Sequence, residues 1–309
     1  MKIIDMKVAA PFKKSIEGTL SYSGVAAGYK RVYNKPTHES DFMADSALFK
    51  GKTFREAVFA VFEHPDLVDS YAQILKSLGI SRAMVAAADC ESMGGRFLPN
   101  DKLAEAIEKH RTLFIPFAGA DPFKGVRAVR ELEHAFKDLG FYGVALPPWE
   151  LNLPTNDKRF YPIFSKCAEH DKILFVHCSI NHGVGRKIGL THPSYLDEVA
   201  QDFPELKIVA NHGGWPWVND LVGVAWRNPN VYICISAIRP KYIGTPGTGW
   251  EPLLTYGNNI LQDQVVWGSD WPNLPWKRSI NEVMDLPLKE EVKEKWLYNN
   301  AARLLGLKE

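Results

Sequence analysis

The sequence predicts an α/β fold, a single (β/α)8 TIM barrel, and three observations predict it. Short runs of Val, Ile, Leu, Phe and Ala recur along the chain, each too short for a useful helix and each followed by a stretch with helical spacing. From strand two onward these runs begin roughly 25 to 35 residues apart, the interval of successive parallel βα units. The first run ends in Ala9-Ala10-Pro11, where an open dinucleotide-binding sheet would carry a glycine-rich phosphate turn, so eight such units point to closure.

Residues 2–9 read as strand one, stopped by Pro11. An irregular insertion covers 12–65, with Gly18, Gly24, Gly28 and Pro36 among the aromatics Phe12, Tyr22, Tyr29 and Tyr33. The aromatics favour an ordered lid over a disordered linker. Leu67, Tyr71, Ile74, Leu75 and Leu78 then recur at helical spacing, Pro65 precedes the first turn and Gly79 ends it. Strand two is expected over 82–88. Helices over 101–110, 124–139, 158–170, 193–202, 216–226 and 250–260 then alternate with strands over 113–118, 142–146, 173–178, 206–211, 231–236 and 264–268. An amphipathic stretch over 288–305 ends the series, so the expected domain is 1–309 with the insertion after its first strand.

A 309-residue chain that is 46% apolar can bury one large core. Its 37 basic and 36 acidic residues leave a net charge of +1 with no long block of one sign, which argues against a nucleic-acid or membrane-surface role. Small neutral or anionic molecules are the expected partners. The first residues lack the apolar region of a signal peptide, and no run of about 18 apolar residues occurs. Cys90, Cys167, Cys178 and Cys234 are scattered without a CxxC pair and read as reduced thiols, so a cytoplasmic protein is expected.

Alternate residues of a barrel strand face inward, and active sites lie at the carboxyl ends of the strands. Counting in twos places Phe175 with His177, Ala210 with His212, Gly268 with Asp270, and Asp5 with Lys7 on the inward side. Two histidines and a carboxylate from three strands can hold a divalent metal in the open manner of zinc hydrolases. They serve equally as acid and base without one. Arg186 and His192, after strand five, are candidates to meet an anionic substrate. Trp149, Trp215 and Trp271, with Trp217 and Trp276, would wall the pocket or pack the core and the subunit contacts of a homo-oligomer, a dimer or larger. Asp89, Glu91 and Glu150 also fall at the mouth, where helix capping and loop hydrogen bonds compete with chemistry.

The stretches Phe175-Val176-His177-Cys178, Asn211-His212-Gly213-Gly214-Trp215-Pro216-Trp217 and Trp267-Gly268-Ser269-Asp270-Trp271-Pro272 resemble those of the amidohydrolase-related family. That family holds aromatic and semialdehyde acid decarboxylases, lactonases and carbon-carbon hydrolases. Ile3-Ile4-Asp5 is similar to its opening and Asn299-Asn300-Ala301-Ala302-Arg303-Leu304-Leu305 to its closing helix. The resemblance implies metal ligation by His177 and Asp270, and an acid/base or further ligand in His212. The family's first strand normally supplies a His-x-His pair, and Lys7 and Ala9 stand at those positions. An ammonium and a methyl group in place of two imidazoles remove two ligands and repel a cation. Two readings are open: one divalent, zinc-type metal weakly held by His177, His212 and Asp270, or no metal, with Lys7 supplying the positive charge. In the second, Lys7 pairs with Asp270 or with a substrate carboxylate or enolate, or acts as a nucleophile if desolvation lowers its basicity.

The resulting expectation is a hydrolase of the amidohydrolase-related type acting on a small carboxylated or carbonyl-containing, cyclic or aromatic compound. His212 is its general base, Asp270 orients water or serves as acid, and His177 with a metal or Lys7 stabilises the oxyanion. A nonoxidative decarboxylase using the same residues is the alternative, and a barrel that has lost catalysis and binds a ligand or partner is the third. Loop side chains set the substrate, which the sequence alone does not name.

Overall fold

The computed structural model describes residues 1–13, 23–29, 56, 61 and 66–307. Eight parallel strands follow one another in chain order: β1 (Ile3–Val8), β2 (Ile80–Ala86), β3 (Phe114–Ala118), β4 (Gly143–Leu146), β5 (Ile173–His177), β6 (Lys207–Asn211), β7 (Val231–Cys234) and β8 (Val265–Val266). The ring is completed where Met6 N donates to the Trp267 carbonyl at 3.0 Å and Val8 bridges Trp271. Outside it lie α1 (Leu67–Ser77), α2 (Asn100–Ile107), α3 (Val126–Lys137), α4 (Tyr161–Glu169), α5 (Pro193–Asp202), α6 (Val218–Arg227), α7 (Glu251–Gly257) and α8 (Trp276–Met284). A closing helix follows, in which α9 (Glu290–Glu294) passes through a π turn (Lys295–Asn299) into α10 (Asn300–Leu304).

The strands are apolar along their length because both faces are buried. One face fills the barrel with Met6, Met84, Phe117, Phe175, Val209 and Val266, and the α10 residues Ala301 and Leu304 pack onto that cluster. The other face, including Val85, Val176 and Ala210, meets the helical shell. Each such side chain contributes roughly 1.5–3 kcal/mol by leaving water.

Inward alternation follows the expected count in β5, where Ile173 and Phe175 join the inner cluster. In β1 it does not. Ile4 and Met6 face inward and Asp5 does not, and the pairing with β2 slips by one residue between Asp5 and Val8. That bulge brings Lys7 back to the inner side. In β6 the inward residue is Val209 and Ala210 faces the shell, one step out of the expected register. His212 recovers by leaving the strand in the left-handed region, at φ +75°.

Three further features were not expected. Helix α8 falls between the expected strand over 264–268 and the closing amphipathic stretch, where no element was assigned, although Trp276, Ile280 and Val283 follow Pro275 at helical spacing. A small antiparallel hairpin, Ala88–Asp89 with Phe97–Leu98, follows β2. Helix α6 starts at Val218 instead of 216. Most of the 12–65 insertion, with the lid expected there, lies outside the described residues. Its described piece Gly24–Tyr29 is a 3-10 turn tied to the loop after β5 by the Val184 N to Val25 O bond of 2.8 Å. No helix among the described residues is long and apolar enough to cross a membrane.

Candidate active site

A cavity of about 1500 Å³ opens at the carboxyl ends of the strands, and Lys7, His177, His212 and Asp270 all line it. Their backbone settings differ. His177 ends β5 in regular extended geometry. Asp270 stands in the left-handed region at φ +57°, its N donating to the Lys7 carbonyl at 2.7 Å, which joins the end of β8 to the β1 bulge. Gly268 allows that approach, since a Cβ there would lie 3.1 Å from the Lys7 Cβ. Below the cavity Asp5 is fully buried and holds the same seam together. It accepts from Lys7 N, Ser269 N, Ser269 Oγ and the Trp276 indole at 2.6–3.0 Å. Burial raises its carboxyl to about 7 against those donors.

The two imidazoles stand edge to face with ring centres 4.7 Å apart. His177 Nε2 donates toward the Ile180 carbonyl at 3.3 Å, with Ser179 Oγ 3.2 Å away. His212 belongs to a closed polar ring: its Nδ1 donates to the Ser236 carbonyl, its Nε2 accepts from the Asn211 amide at 2.9 Å, and Ser236 Oγ donates to Asn211 Oδ1 at 2.5 Å. Burial, then the neighbouring imidazole, holds His177 well below its usual range. Burial, then Lys7, lowers His212 to about 3. Both rings are neutral at pH 7.

Burial lowers the basicity of Lys7 against the attraction of Asp270, and raises the Asp270 carboxyl against that of Lys7. Among the described residues the Lys7 ammonium makes no hydrogen bond or ion pair. Asp270 Oδ2 accepts from Asn273 Nδ2 at 2.6 Å.

The remaining candidates separate. Trp149 (6% exposed), Trp215 and Trp271 (2%) form cavity wall. Trp276 stacks on Trp271 and Trp217 packs on His192, both outside the lining. Arg186 and His192 do not line the cavity. The Arg186 guanidinium donates to the Trp149 and Glu150 carbonyls at 3.0 and 3.3 Å, while His192 Nδ1 accepts from Ser194 N and caps α5. A residue near a strand end in sequence can still turn its side chain back into the loop, and both do. Asp89 and Glu91 are spent on Lys124. Glu150 does reach the cavity, forked by Arg96. Arg96, Lys13, Arg239 and Arg278 also line it and were not picked out. Only the fold gathers them.

Known proteins share the fold and part of the sequence. The curated 4-sulfomuconolactone hydrolase of Hydrogenophaga intermedia is 22% identical over 253 residues, covering 77% of this chain and 78% of that protein. An uncharacterised TIM-barrel protein of Bordetella bronchiseptica superposes with a TM-score of 0.72 at 24% identity, over 99% of both chains. A dihydroxybenzoic acid decarboxylase of a Polaromonas species, with bound manganese and 2-nitroresorcinol, gives 0.65 at 16% identity, over 99% of this chain and 97% of that one.

Manganese in that structure makes a divalent ion the cofactor class to test against this chain's donors. They do not fit one. Among the described residues no three His, Cys, Asp or Glu side chains are grouped to hold a metal. His177 Nε2 and both ring nitrogens of His212 face protein partners. Lys7 and Ala9, at the two positions where the family resemblance led to an expectation of histidine, both line the cavity. The family model described as Amidohydrolase matches residues 68–307, and the chain belongs to that family of enzymes.

Proposed function

We propose that the protein is a metal-independent hydrolase of the amidohydrolase-related type, whose substrate is a small cyclic or aromatic compound bearing a carbonyl and an anionic group. The observation that carries the reading is the entry of Lys7 into the cavity beside Asp270 and two neutral imidazoles. Of the cations on the lining, Arg96 is paired with Glu150 and Arg239 with Glu282, while the Lys7 ammonium has no ion-pair partner among the described residues, which favours an anion there. The name of the sulfomuconolactone hydrolase points the same way, to an anionic lactone.

Asp270 takes a proton from water as its oxygen attacks the carbonyl carbon, and the Lys7 ammonium faces the oxygen that becomes an oxyanion. Collapse breaks the ring C–O bond, and the Asp270 carboxyl returns the proton to the leaving oxygen. One water is consumed for each bond opened. His212, expected as the base, is a weak one here: its Nε2 lone pair is occupied by Asn211 and burial disfavours its charged form. We assign it and His177 to orienting the substrate.

A panel of carboxylated and sulfonated lactones and aromatic acids tests the reading. Turnover without metal, releasing acid but no bicarbonate, is expected. Lys7→Met and Asp270→Asn should each lower kcat at least about a hundredfold. Release of carbon dioxide, detected as bicarbonate, with no water incorporated into the organic product would replace the hydrolase by a decarboxylase. Full activity of Asp270→Asn would remove the chemistry proposed here.

A further inference from the structure

We infer that Arg96 is a subsite for the anionic group of the substrate, a carboxylate or sulfonate, set beside the reacting carbonyl. The inference deepens the hydrolase reading and rests on it for the identity of the cavity. Arg96 comes from the tight hairpin after β2. There Cys90 N donates to the Arg96 carbonyl at 2.9 Å and Gly95 N to the Cys90 carbonyl at 2.9 Å. A Cβ on Gly95 would come within 2.7 Å of the Cys90 Cβ, so the turn closes only around glycine.

One edge of the guanidinium is fixed: Nε donates to Glu150 Oε2 at 3.0 Å and Nη2 to Oε1. Glu150 is held in turn. Its N donates to the Pro147 carbonyl at 2.9 Å, and its own carbonyl accepts from Arg186 Nη2 at 3.3 Å. Arg186, expected to bind substrate, is thus a positioning residue for this pair.

The burial is lopsided. The Glu150 side chain is 2% exposed and that of Arg96 58%, open to the cavity. The carboxylate is covered, and Nη1 has no acceptor among the described residues; Arg96 and Lys7 line the same cavity. A rigid planar fork with free N–H groups is the partner that a carboxylate or sulfonate takes in two parallel hydrogen bonds. Tyr29 and Trp149, whose ring centres are 5.5 Å apart, and Phe97 wall the same cavity and suit a flat ring carrying that group.

Equilibrium titration of the full-length protein with benzoate, benzenesulfonate and neutral benzamide tests the subsite. The variants are Arg96→Lys, the double change Arg96→Met with Glu150→Gln, which leaves no buried carboxylate unpaired, and Lys7→Met. Wild-type protein is expected to prefer the two anions over benzamide, and the stronger of the two identifies the head group. Both Arg96 variants should weaken the anions about tenfold or more and leave benzamide within about twofold, while Lys7→Met keeps the preference. No preference in wild-type protein, its survival in both Arg96 variants, or its loss in Lys7→Met alone would each overturn the assignment. Binding is read without turnover, so a protein that selects the anions yet hydrolyses no lactone refutes the hydrolase reading and not this subsite.

Discussion

Lys7 reaches the cavity from a strand that carries one more residue than its neighbour needs, and lands where a metal ligand was expected to be absent and a charge to be present. Its surroundings pull it toward the neutral amine and Asp270 toward the neutral acid, because burial outweighs their mutual attraction. In the proposed reaction an anionic substrate would add negative charge that favours the ammonium the oxyanion step uses. The imidazoles give a test by pH. Their basicities lie below the ordinary histidine value in the folded chain, so as pH falls below about 6.5 the unfolded chain takes up protons first and stability drops. Asp5, raised to about 7, acts in the opposite sense, losing stability as pH rises toward 7. The difference between wild-type protein and His212→Asn therefore isolates the ring. Between pH 7 and pH 5 the variant should lose roughly 1–2 kcal/mol less than wild type in urea unfolding. Equal losses would show that His212 is not held neutral.

The β1–β8 seam sets where these residues stand. Asp5 satisfies four donors there, two of them from Ser269. Ser269→Ala removes one and leaves a fully buried carboxylate short of a partner, so a cost of about 1–3 kcal/mol is expected in urea unfolding. A change within experimental error would mean that the seam is not held through Asp5. The same seam marks the limit of what was legible. Strand positions were readable because parallel barrel strands are buried on both faces and show as apolar runs. Which side chain points inward was readable only where the strand is regular, as at Phe175 and His177. A bulge at Lys7 and left-handed residues at His212 and Asp270 leave no periodic trace, so the count in twos failed for Asp5 and Ala210 although both polar ends still reached the cavity. Arg96 was invisible because a hairpin and a distant glutamate place it. Arg186 and His192 lie outside the cavity lining because sequence proximity to a strand end does not say which way a loop side chain turns.

At the scale of the whole molecule, the barrel has kept the layout in which eight strand ends converge on one mouth, while its first strand presents a cation where ligands are expected. Replacing Lys7 and Ala9 together by histidine would restore two neutral donors and remove the repulsion, so that double variant should gain divalent-metal binding. If Lys7 stands in for a metal's charge, wild-type protein purified from medium supplemented with manganese and zinc should carry well below one bound ion per chain. One tightly held equivalent, ligated by His177 and Asp270, would contradict it.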